Sequence, residues 1–348
     1  MAIDDADDGV DAEGHAWLPT LHAERCVHTH VEVASCDRCV AACPHDAWVL
    51  DDEQLAVDTA RCDGCGLCVA ACPEGALAHD HEPQRRRVAR DPVLFAACRH
   101  AASDLPGTRV PCVHAFTIEQ FAGWYVNGVR RLWMVAGQCE GCACHTQAAN
   151  NPAWQRLNRL LDACGLTAFE VSMLPTEDWR RIYLQSSPDS SKGADSGRRN
   201  FLRRMFATTA PSAAENSEWR PAGVLIWPLV QDRAALHVPN IDVERCSGCD
   251  ACARVCRHAA IVVTSDPAAY VIDPAACTGC GVCQDVCEQS AIALAECAPV
   301  NVMVVPLSDR RCRSCGANYH QPSLDTVIDG RCPVCRHADH ASKLFQVV

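Results

Sequence analysis

The sequence contains no apolar stretch long enough to cross a membrane. A membrane-spanning helix needs about 20 consecutive apolar residues, whereas charged or polar residues interrupt every apolar run of this chain. The first ten residues are acidic, and a secretory signal requires a basic start followed by an apolar segment. We therefore expect a cytoplasmic protein without a membrane span.

The glycine-rich loops that bind nucleotides are also missing. Neither the G-x-G-x-x-G loop of flavin and nicotinamide proteins nor the G-x-x-x-x-G-K-[ST] loop of nucleotide hydrolases occurs. No Cys-His-Asp arrangement stands out as a catalytic nucleophile either. Hydride or nucleotide chemistry would therefore require a partner protein.

A surplus of basic residues is absent as well. The chain has 43 acidic and 31 basic residues, which gives a formal net charge of −12. Binding to nucleic acid needs a basic surface, so we expect no nucleic-acid partner. An acidic surface instead favours docking to basic patches on other redox proteins.

What the sequence has in abundance is cysteine, with 27 residues. In a reducing cytoplasm, that many cysteines indicate thiolate metal ligands rather than disulfide bonds. They fall into four groups, of which the first and third form an internal repeat. The groups cover residues 26–72, 98–144, 246–287 and 312–335. Cys164 and Cys297 lie outside them in apolar surroundings, where we expect small core residues.

Three cysteine runs have the spacing Cys-x2-Cys-x2-Cys-x3-Cys, and they begin at Cys62, Cys246 and Cys277. A tight loop with a cysteine at every third position wraps three thiolates around one [4Fe–4S] cube, and the fourth cysteine ligates the other cube of a pair. Zinc is the weaker interpretation, because its sites usually take two ligand pairs separated by a long gap. The spacing therefore predicts interlocked pairs of [4Fe–4S] clusters.

These runs resemble the bacterial two-cluster ferredoxins, which are small α+β folds with pseudo-twofold symmetry. The resemblance covers roughly residues 20–80 and 235–295. Strand patterns at 49–57 and 261–272 agree with one hairpin in each copy. The resemblance implies three complete ligand sets. They are Cys62, Cys65, Cys68 and Cys43; Cys246, Cys249, Cys252 and Cys287; and Cys277, Cys280, Cys283 and Cys256.

The first run departs from this spacing. It reads Cys26-x9-Cys36-x2-Cys39-x3-Cys43, and Val33 occupies the position where the first ligand is usual. We expect the inserted residues to loop out and return the first cysteine to a fourth [4Fe–4S] site. The predicted set is Cys26, Cys36, Cys39 and Cys72. A ligand from His28 or His30, or a three-iron cluster, is the alternative.

Residues 91–180 alternate between strand and helix patterns and predict a parallel α/β domain. Cysteines follow the carboxyl ends of the predicted strands, which is where open parallel sheets place their sites. The expected strands are 93–97, 109–111, 131–136 and 168–172, and the expected helices are 118–129 and 152–163.

This segment resembles the delta subunit of methyl-viologen-reducing hydrogenase, an iron–sulfur domain that links hydrogenase to heterodisulfide reductase. The matching residues are Val110-Pro111-Cys112, Cys139-x4-Cys144-His145 and Asn150. The family binds one [2Fe–2S] cluster, and the implied ligands are Cys98, Cys112, Cys139 and Cys144, with Cys142 as a substitute. The segment departs from the family where Ala101 replaces a cysteine, so a degenerate domain without a cluster is the alternative.

The last group consists of Cys312-x2-Cys315 and Cys332-x2-Cys335, separated by 16 residues. Two such pairs fit a tetrahedral site of four thiolates. The segment resembles a zinc ribbon and, less closely, a rubredoxin. We expect structural zinc, with iron as the alternative that would add a one-electron centre. His320 and His337 are expected to be solvated rather than ligands.

The chain is thus predicted to be a multidomain α+β protein. Two 2[4Fe–4S] ferredoxin-like modules flank a parallel α/β [2Fe–2S] domain, and a zinc-ribbon-like knuckle follows the second module. A basic connector is expected at 82–90. The predicted boundaries are 20–82 and 235–297 for the modules, 91–180 for the α/β domain, 185–217 for a flexible linker and 298–348 for the C-terminal domain.

Such a set of centres predicts an electron-transfer subunit rather than an enzyme that acts by itself. The resemblance to the hydrogenase subunit implies a position between an oxidoreductase, such as a hydrogenase- or formate-dehydrogenase-like subunit, and a heterodisulfide-reductase-like or other acceptor. The alternatives are an enzyme subunit with a substrate-binding cluster in the middle domain and a scaffold that donates clusters.

Overall fold

The computed structural model describes residues 17–50, 55–144, 153–189, 219–231, 233–300, 303–323 and 330–337. These residues form a mixed α/β structure. It has a cysteine-rich first module, a middle α/β domain, a cysteine-rich second module and a small C-terminal unit. Within these ranges, no helix is long and apolar enough to cross a membrane.

The first module consists of two short antiparallel strand pairs and two helices of one turn. Its elements are β1 (Thr20–Leu21), α1 (Arg38–Ala41), β2 (Trp48–Leu50), β3 (Leu55–Val57), α2 (Leu67–Ala71) and β4 (Leu77–Ala78). Strand β1 pairs with β4 and β2 pairs with β3, so the hairpin predicted at 49–57 is confirmed. Trp48, Val69 and Leu77 form its small core together with the buried thiol Cys68.

The middle domain is built on a six-stranded sheet. Its elements are β5 (Gln84–Val88), β6 (Asp91–Cys98), β7 (Arg109–Val110), α3 (Ile118–Val126), β8 (Arg131–Val135), α4 (Ala153–Ala163), β9 (Glu170–Met173), α5 (Thr176–Gln185) and β10 (Ser187–Pro188). The order is β10-β5-β6-β8-β9, with β7 beside β6. Strands β6 to β9 are parallel, which confirms the predicted α/β pattern.

Strand β6 is buried on both faces, as expected for a central parallel strand. Leu94 and Ala96 pack into one core, and Val93 and Phe95 pack into the other. The first of these cores also contains residues of the second module, such as Leu236. The middle domain and the second module therefore share a hydrophobic core and are not separate globular units.

The connector expected at 82–90 is wrong, because β5 occupies most of that segment and pairs antiparallel with both β6 and β10. Its arginines have a partner beyond the strand. Asp189 accepts from Arg85 Nε over 2.7 Å and from Arg87 Nε over 2.9 Å. The first residues of the predicted linker thus close the sheet edge through β10, and the linker beyond 189 lies outside the described residues until 219.

The second module repeats the plan of the first with longer strands. Its elements are α6 (Ala222–Val230), β11 (Ala234–Ile241), α7 (Ala251–Arg254), β12 (Ile261–Ser265), β13 (Ala268–Ile272), α8 (Val282–Asp285) and β14 (Ile292–Pro299). Strands β11 and β14 pair antiparallel, and β12 and β13 form the hairpin predicted at 261–272.

The C-terminal unit extends the sheet of the second module. It contains β15 (Val304–Arg311), β16 (Asn318–Pro322) and α9 (Pro333–His337). Strand β15 pairs with β13, which gives the order β12-β13-β15-β16. The four cysteines of this unit are therefore attached directly to the second module.

Replacing Trp179 with alanine should destabilise the middle domain. Trp179 is fully buried, lies edge-on to Phe95 at 5.7 Å between ring centroids and stacks on Tyr183 at 5.0 Å. We expect a loss of about 3–5 kcal/mol, the usual cost of truncating a buried aromatic. Urea unfolding followed by circular dichroism measures it. Leu184→Ala on the same helix is the control because that side chain is exposed. Equal urea midpoints for the two variants would contradict the assignment of Trp179 to the core.

Candidate metal centres

The four thiols predicted for the first cluster, called set 1, line one cavity. They are Cys26, Cys36, Cys39 and Cys72. Cys26 lies between two 3-10 turns, Ala23–Arg25 and Val27–Thr29, which fold the inserted segment back against the module. Burial raises the pKa of Cys39 to about 12, and the other three thiolates of the set contribute to the rise. The structure thus brings Cys26 close to the other three cysteines of set 1.

The two histidines considered as alternative ligands both contact backbone carbonyls. His28 Nε2 lies 2.7 Å from the carbonyl oxygen of Cys36, and His30 Nε2 lies 2.8 Å from that of Glu24. Because a carbonyl oxygen only accepts, each Nε2 carries a proton in this arrangement. Only Nδ1 of either ring remains available to a metal.

Set 2 surrounds the start of α2 and consists of Cys62, Cys65, Cys68 and Cys43. Burial is the largest cause that raises the pKa of Cys62, and the thiolates of Cys65 and Cys43 contribute. Burial likewise raises the pKa of Cys68 to about 12, with contributions from Cys65 and Cys62. Cys43 therefore lies near the consecutive cysteines of the other run, as the interlocked arrangement requires.

The two sets of the second module each line a cavity of their own. Set 3 is Cys246, Cys249, Cys252 and Cys287, and set 4 is Cys277, Cys280, Cys283 and Cys256. Gly248 and Gly279 shape these loops with left-handed φ angles of +74°. A Cβ at Gly248 would lie 2.2 Å from the carbonyl oxygen of His320, and one at Gly279 would lie 2.6 Å from the ring of His237. Both loops therefore require glycine.

The last cysteine of each run accepts a hydrogen bond from the backbone amide four residues later. The N–S distances are 3.3 Å for Ala47 to Cys43 and Ala76 to Cys72, and 3.2 Å for Ala260 to Cys256 and Ala291 to Cys287. Such bonds stabilise a thiolate and tune a cluster that it ligates. The first run makes this contact like the other three, although its first ligand is displaced.

The donor chemistry of these sets fits [4Fe–4S] clusters. Burial, and then neighbouring thiolates, raise the pKa of Cys252 and of Cys277 to about 12. Gathering four thiolates in so small a volume is repulsive, and cationic iron offsets that repulsion. Each set supplies four sulfur donors, which is the ligand number of such a cluster.

The five cysteines of the middle domain lie beyond the carboxyl ends of β6, β7 and β8, as predicted from the strand pattern. Burial raises the pKa of Cys112 to about 12, and Cys98 and Cys142 are among the thiolates that contribute. Burial also raises the pKa of Cys139, again with contributions from Cys98 and Cys142. Cys98, Cys112, Cys139 and Cys142 therefore lie near one another.

Cys144 packs with Cys112 and Cys142, and it also contacts the first module. Its Sγ lies 3.6 Å from Oδ2 of Asp63. Its thiol is also in hydrogen-bonding contact with the thiol of Cys65 in set 2. Asp63 in turn accepts from Arg99 Nη2 over 2.6 Å, and His45 Nε2 lies 3.0 Å from the same carboxylate oxygen. Burial alone would raise the pKa of Asp63, but Arg99, the Cys65 amide and His45 hold it at about 2. This ionised carboxylate joins the first module to the middle domain.

Ligand loops also form the contact between the two modules. The backbone N–H of Ser35 donates to Oδ2 of Asp285 over 2.9 Å, and its hydroxyl donates to Oδ1 over 2.7 Å. Arg38 Nη2 donates to the carbonyl oxygen of Gly279 over 2.8 Å. Ser35 and Arg38 flank Cys36 of set 1, and Gly279 and Asp285 lie in the run that supplies set 4. Sets 1 and 4 therefore face each other across the module boundary.

The middle domain meets the second module at a buried histidine. Arg156 Nη2 donates to Nε2 of His237 over 3.0 Å. Burial, followed by the charge of Arg156, lowers the pKa of His237 to about 4, so the ring is neutral and accepts. Cys297 Sγ lies 3.4 Å from the carbonyl oxygen of the same arginine. Cys164 is buried in the core, as predicted for a small core residue.

The four thiols of the C-terminal unit form the tightest group. The Sγ atoms of Cys312, Cys315, Cys332 and Cys335 all lie within 4.8 Å of one another. Hydrogen bonds from the backbone amides of Cys315 and Cys332 hold the pKa of Cys312 well below its ordinary value. This donor set fits a single tetrahedral metal ion of the zinc or iron type.

His320 differs from its expected solvated state. It is half-buried, and its Nε2 lies 2.7 Å from Oδ1 of Asp250, which also accepts from the Tyr270 hydroxyl over 2.8 Å. Asp250 lies between Cys249 and Cys252 of set 3, so this contact joins the C-terminal unit to that set. The side chain of His337 lies outside the described residues.

Two segments of the chain match a known family. Residues 34–77 and residues 245–291 each match the 4Fe-4S dicluster domain. The chain thus carries two ferredoxin-like dicluster domains, which support an iron–sulfur electron-transfer role. Cys26, the middle domain and the C-terminal cysteines lie outside both segments. No curated protein matches the chain.

Proposed function

We propose that the protein is a multi-centre electron carrier that relays single electrons between an oxidoreductase partner and a heterodisulfide-reductase-like or other acceptor. The observation that carries the proposal is the physical contact between successive thiol sets. Iron–sulfur clusters exchange one electron each when bound. The chain's own part is to hold these sites close together and to shield them from water.

The contacts support a particular order of sites. The middle-domain cysteines contact set 2 through Cys144 and Cys65, and sets 2 and 1 share the first module. Set 1 faces set 4 through Ser35 and Asp285, and sets 4 and 3 share the second module. The C-terminal thiols adjoin set 3 through the contact of His320 with Asp250, and with a zinc ion bound they would not carry electrons themselves. This order is not the order of the sequence, since the middle domain lies at one end of the series.

For the middle domain, we assign a [2Fe–2S] cluster to Cys98, Cys112, Cys139 and Cys142. The proximity of Cys142 to the other three thiols supports it over Cys144, which the resemblance to the hydrogenase subunit favours. The bonds of Cys144 to Asp63 and Cys65 support a structural role at the boundary with the first module. For the C-terminal thiols, we assign a structural zinc ion.

Metal analysis of the anaerobically purified protein tests the whole assignment. We expect about 18 irons per chain, because each [4Fe–4S] cluster holds four irons and a [2Fe–2S] cluster holds two. About one zinc per chain is expected as well. A protein reduced by a low-potential one-electron donor should then pass electrons to a one-electron acceptor without a lag. Zinc alone, or a protein that holds iron but accepts no electrons, would contradict the proposal.

Replacing Cys26 with alanine should remove one [4Fe–4S] cluster. The variant should lose its set 1 signal in the electron paramagnetic resonance spectrum and about four irons per chain, because no other described cysteine lines that cavity. His28→Gln and His30→Gln are the controls and should retain the cluster. Retention in C26A with loss in either histidine variant would transfer the ligand role to that histidine, and a three-iron signal in the wild type would show that three ligands suffice.

Serine substitutions distinguish the two candidates in the middle domain. Cys142→Ser should abolish the [2Fe–2S] signal, as Cys112→Ser should, while the signals of the cubanes remain. Cys144→Ser should keep the [2Fe–2S] signal, because that thiol bonds set 2 instead. The reverse pattern would return the ligand role to Cys144, and a wild type without any [2Fe–2S] signal would make the domain structural.

A further inference from the structure

Glu74 is a buried carboxylate that belongs to none of the thiol sets. Its side chain is only 4% exposed. It follows Cys72 and Pro73, so the backbone holds it next to a ligand of set 1. Burying an ionised carboxylate is costly unless charged or polar partners compensate it. The partners of Glu74 therefore indicate what the residue is for.

Both partners of this carboxylate come from the second module. His258 Nε2 lies 2.8 Å from Oε2 of Glu74, and the Thr278 hydroxyl donates to Oε1. His258 follows Cys256 by two residues, and Thr278 directly follows Cys277. Each partner thus belongs to a ligand loop of set 4. Both carboxylate oxygens are in hydrogen-bonding contact with these partners, the arrangement that suits an ionised carboxylate.

The carboxylate also lies beside both cavities. Glu74 lines the cavity of set 1 and the cavity of set 4. Cys26 lines the first of these cavities and Cys280 lines the second. One negative charge therefore acts on thiols of two modules that are far apart in sequence.

The side chain of Trp219 lies at the same boundary between the two modules. Trp219 packs so closely over Gly75 that a Cβ there would lie 2.1 Å from the indole nitrogen. Its ring also lies 5.7 Å from that of His258, measured between centroids. The indole therefore contacts the residue that follows Glu74 and lies near its partner His258.

We propose that Glu74 is a positioning residue shared by two cluster sites, set 1 in the first module and set 4 in the second. It joins the ligand loops of the two sets, and it places a single buried negative charge beside both. A fixed negative charge favours the oxidised, less negative state of a nearby cluster and lowers its reduction potential. Glu74 therefore sets the potentials of the two sites together. This inference rests on the proposed function, since it assumes that both sets hold clusters.

Glu74→Gln tests the shared charge, because glutamine keeps the shape and the acceptor for Thr278 but removes the charge. Reduction potentials are measured by redox titration with electron paramagnetic resonance detection. Signals are assigned with Cys39→Ala for set 1 and Cys283→Ala for set 4. We expect E74Q to shift both of these signals to higher potential while those of sets 2 and 3 stay. A shift confined to set 1, or no shift, would overturn the proposal.

Two control variants separate charge from packing. Glu177→Gln removes an equal charge from an exposed position of the middle domain, where the side chain is 84% exposed, and should shift no signal. Glu74→Asp keeps the charge but shortens the side chain, so it should leave both potentials closer to those of the wild type than E74Q does. Equal shifts in E74D and E74Q would mean that packing alone matters, which also overturns the shared-charge role.

Iron content settles the case in which E74Q is unstable. Loss of iron from sets 1 and 4 together, with sets 2 and 3 loaded, would still support a shared positioning residue. Loss of iron from set 1 alone would mean that Glu74 affects only the site of its neighbour Cys72, and the inference would be rejected. Absence of [4Fe–4S] signals from the wild type itself would instead refute the proposed function, so the two failures are distinguishable.

Discussion

Mutual repulsion between thiolates is the constraint on which this structure depends. Each ferredoxin-like module gathers eight cysteines, and four of them belong to its small hydrophobic core. Burial and neighbouring thiolates raise the pKa of thiols such as Cys39 and Cys283 far above neutrality. Without a cationic metal, such a core can persist only with its thiols protonated. Metal loading and the stability of the modules are therefore linked.

The protein meets this constraint with backbone amides more than with basic side chains. The fourth cysteine of every run receives an N–H···S bond from an alanine four residues later. Glycines in left-handed conformation let the loops approach neighbouring backbone and rings closely, as at Gly248 and Gly279. Amides supply partial positive charge without the size of lysine or arginine. This is why a module of such short strands can hold two ligand sets.

The elements predicted best from the sequence were those fixed by local spacing. Three cysteine runs, two hairpins and the parallel strands of the middle domain depend on residues close together in the chain, and periodicity records such contacts. The strand β5 was missed because its arginines suggest a solvated segment, and their partner Asp189 lies about a hundred residues away. Cys142 and Cys144 are two residues apart, so spacing cannot choose between them. Their surroundings, which include Cys65 from another module, support the proposed choice of Cys142.

Glu74 is the clearest case of what sequence reasoning could not supply. An acidic residue after a cysteine–proline pair carries no pattern, and its two partners follow it by 184 and 204 positions. Only the folded arrangement turns the loops of two repeated modules toward each other. Duplication of a module would by itself give two separate carriers. Contacts between ligand loops, at Ser35 with Asp285 and at Glu74 with His258, give the proposed relay a continuous path instead. The middle domain and set 3 then lie at opposite ends of this path, which leaves each end a different surface for a donor or an acceptor.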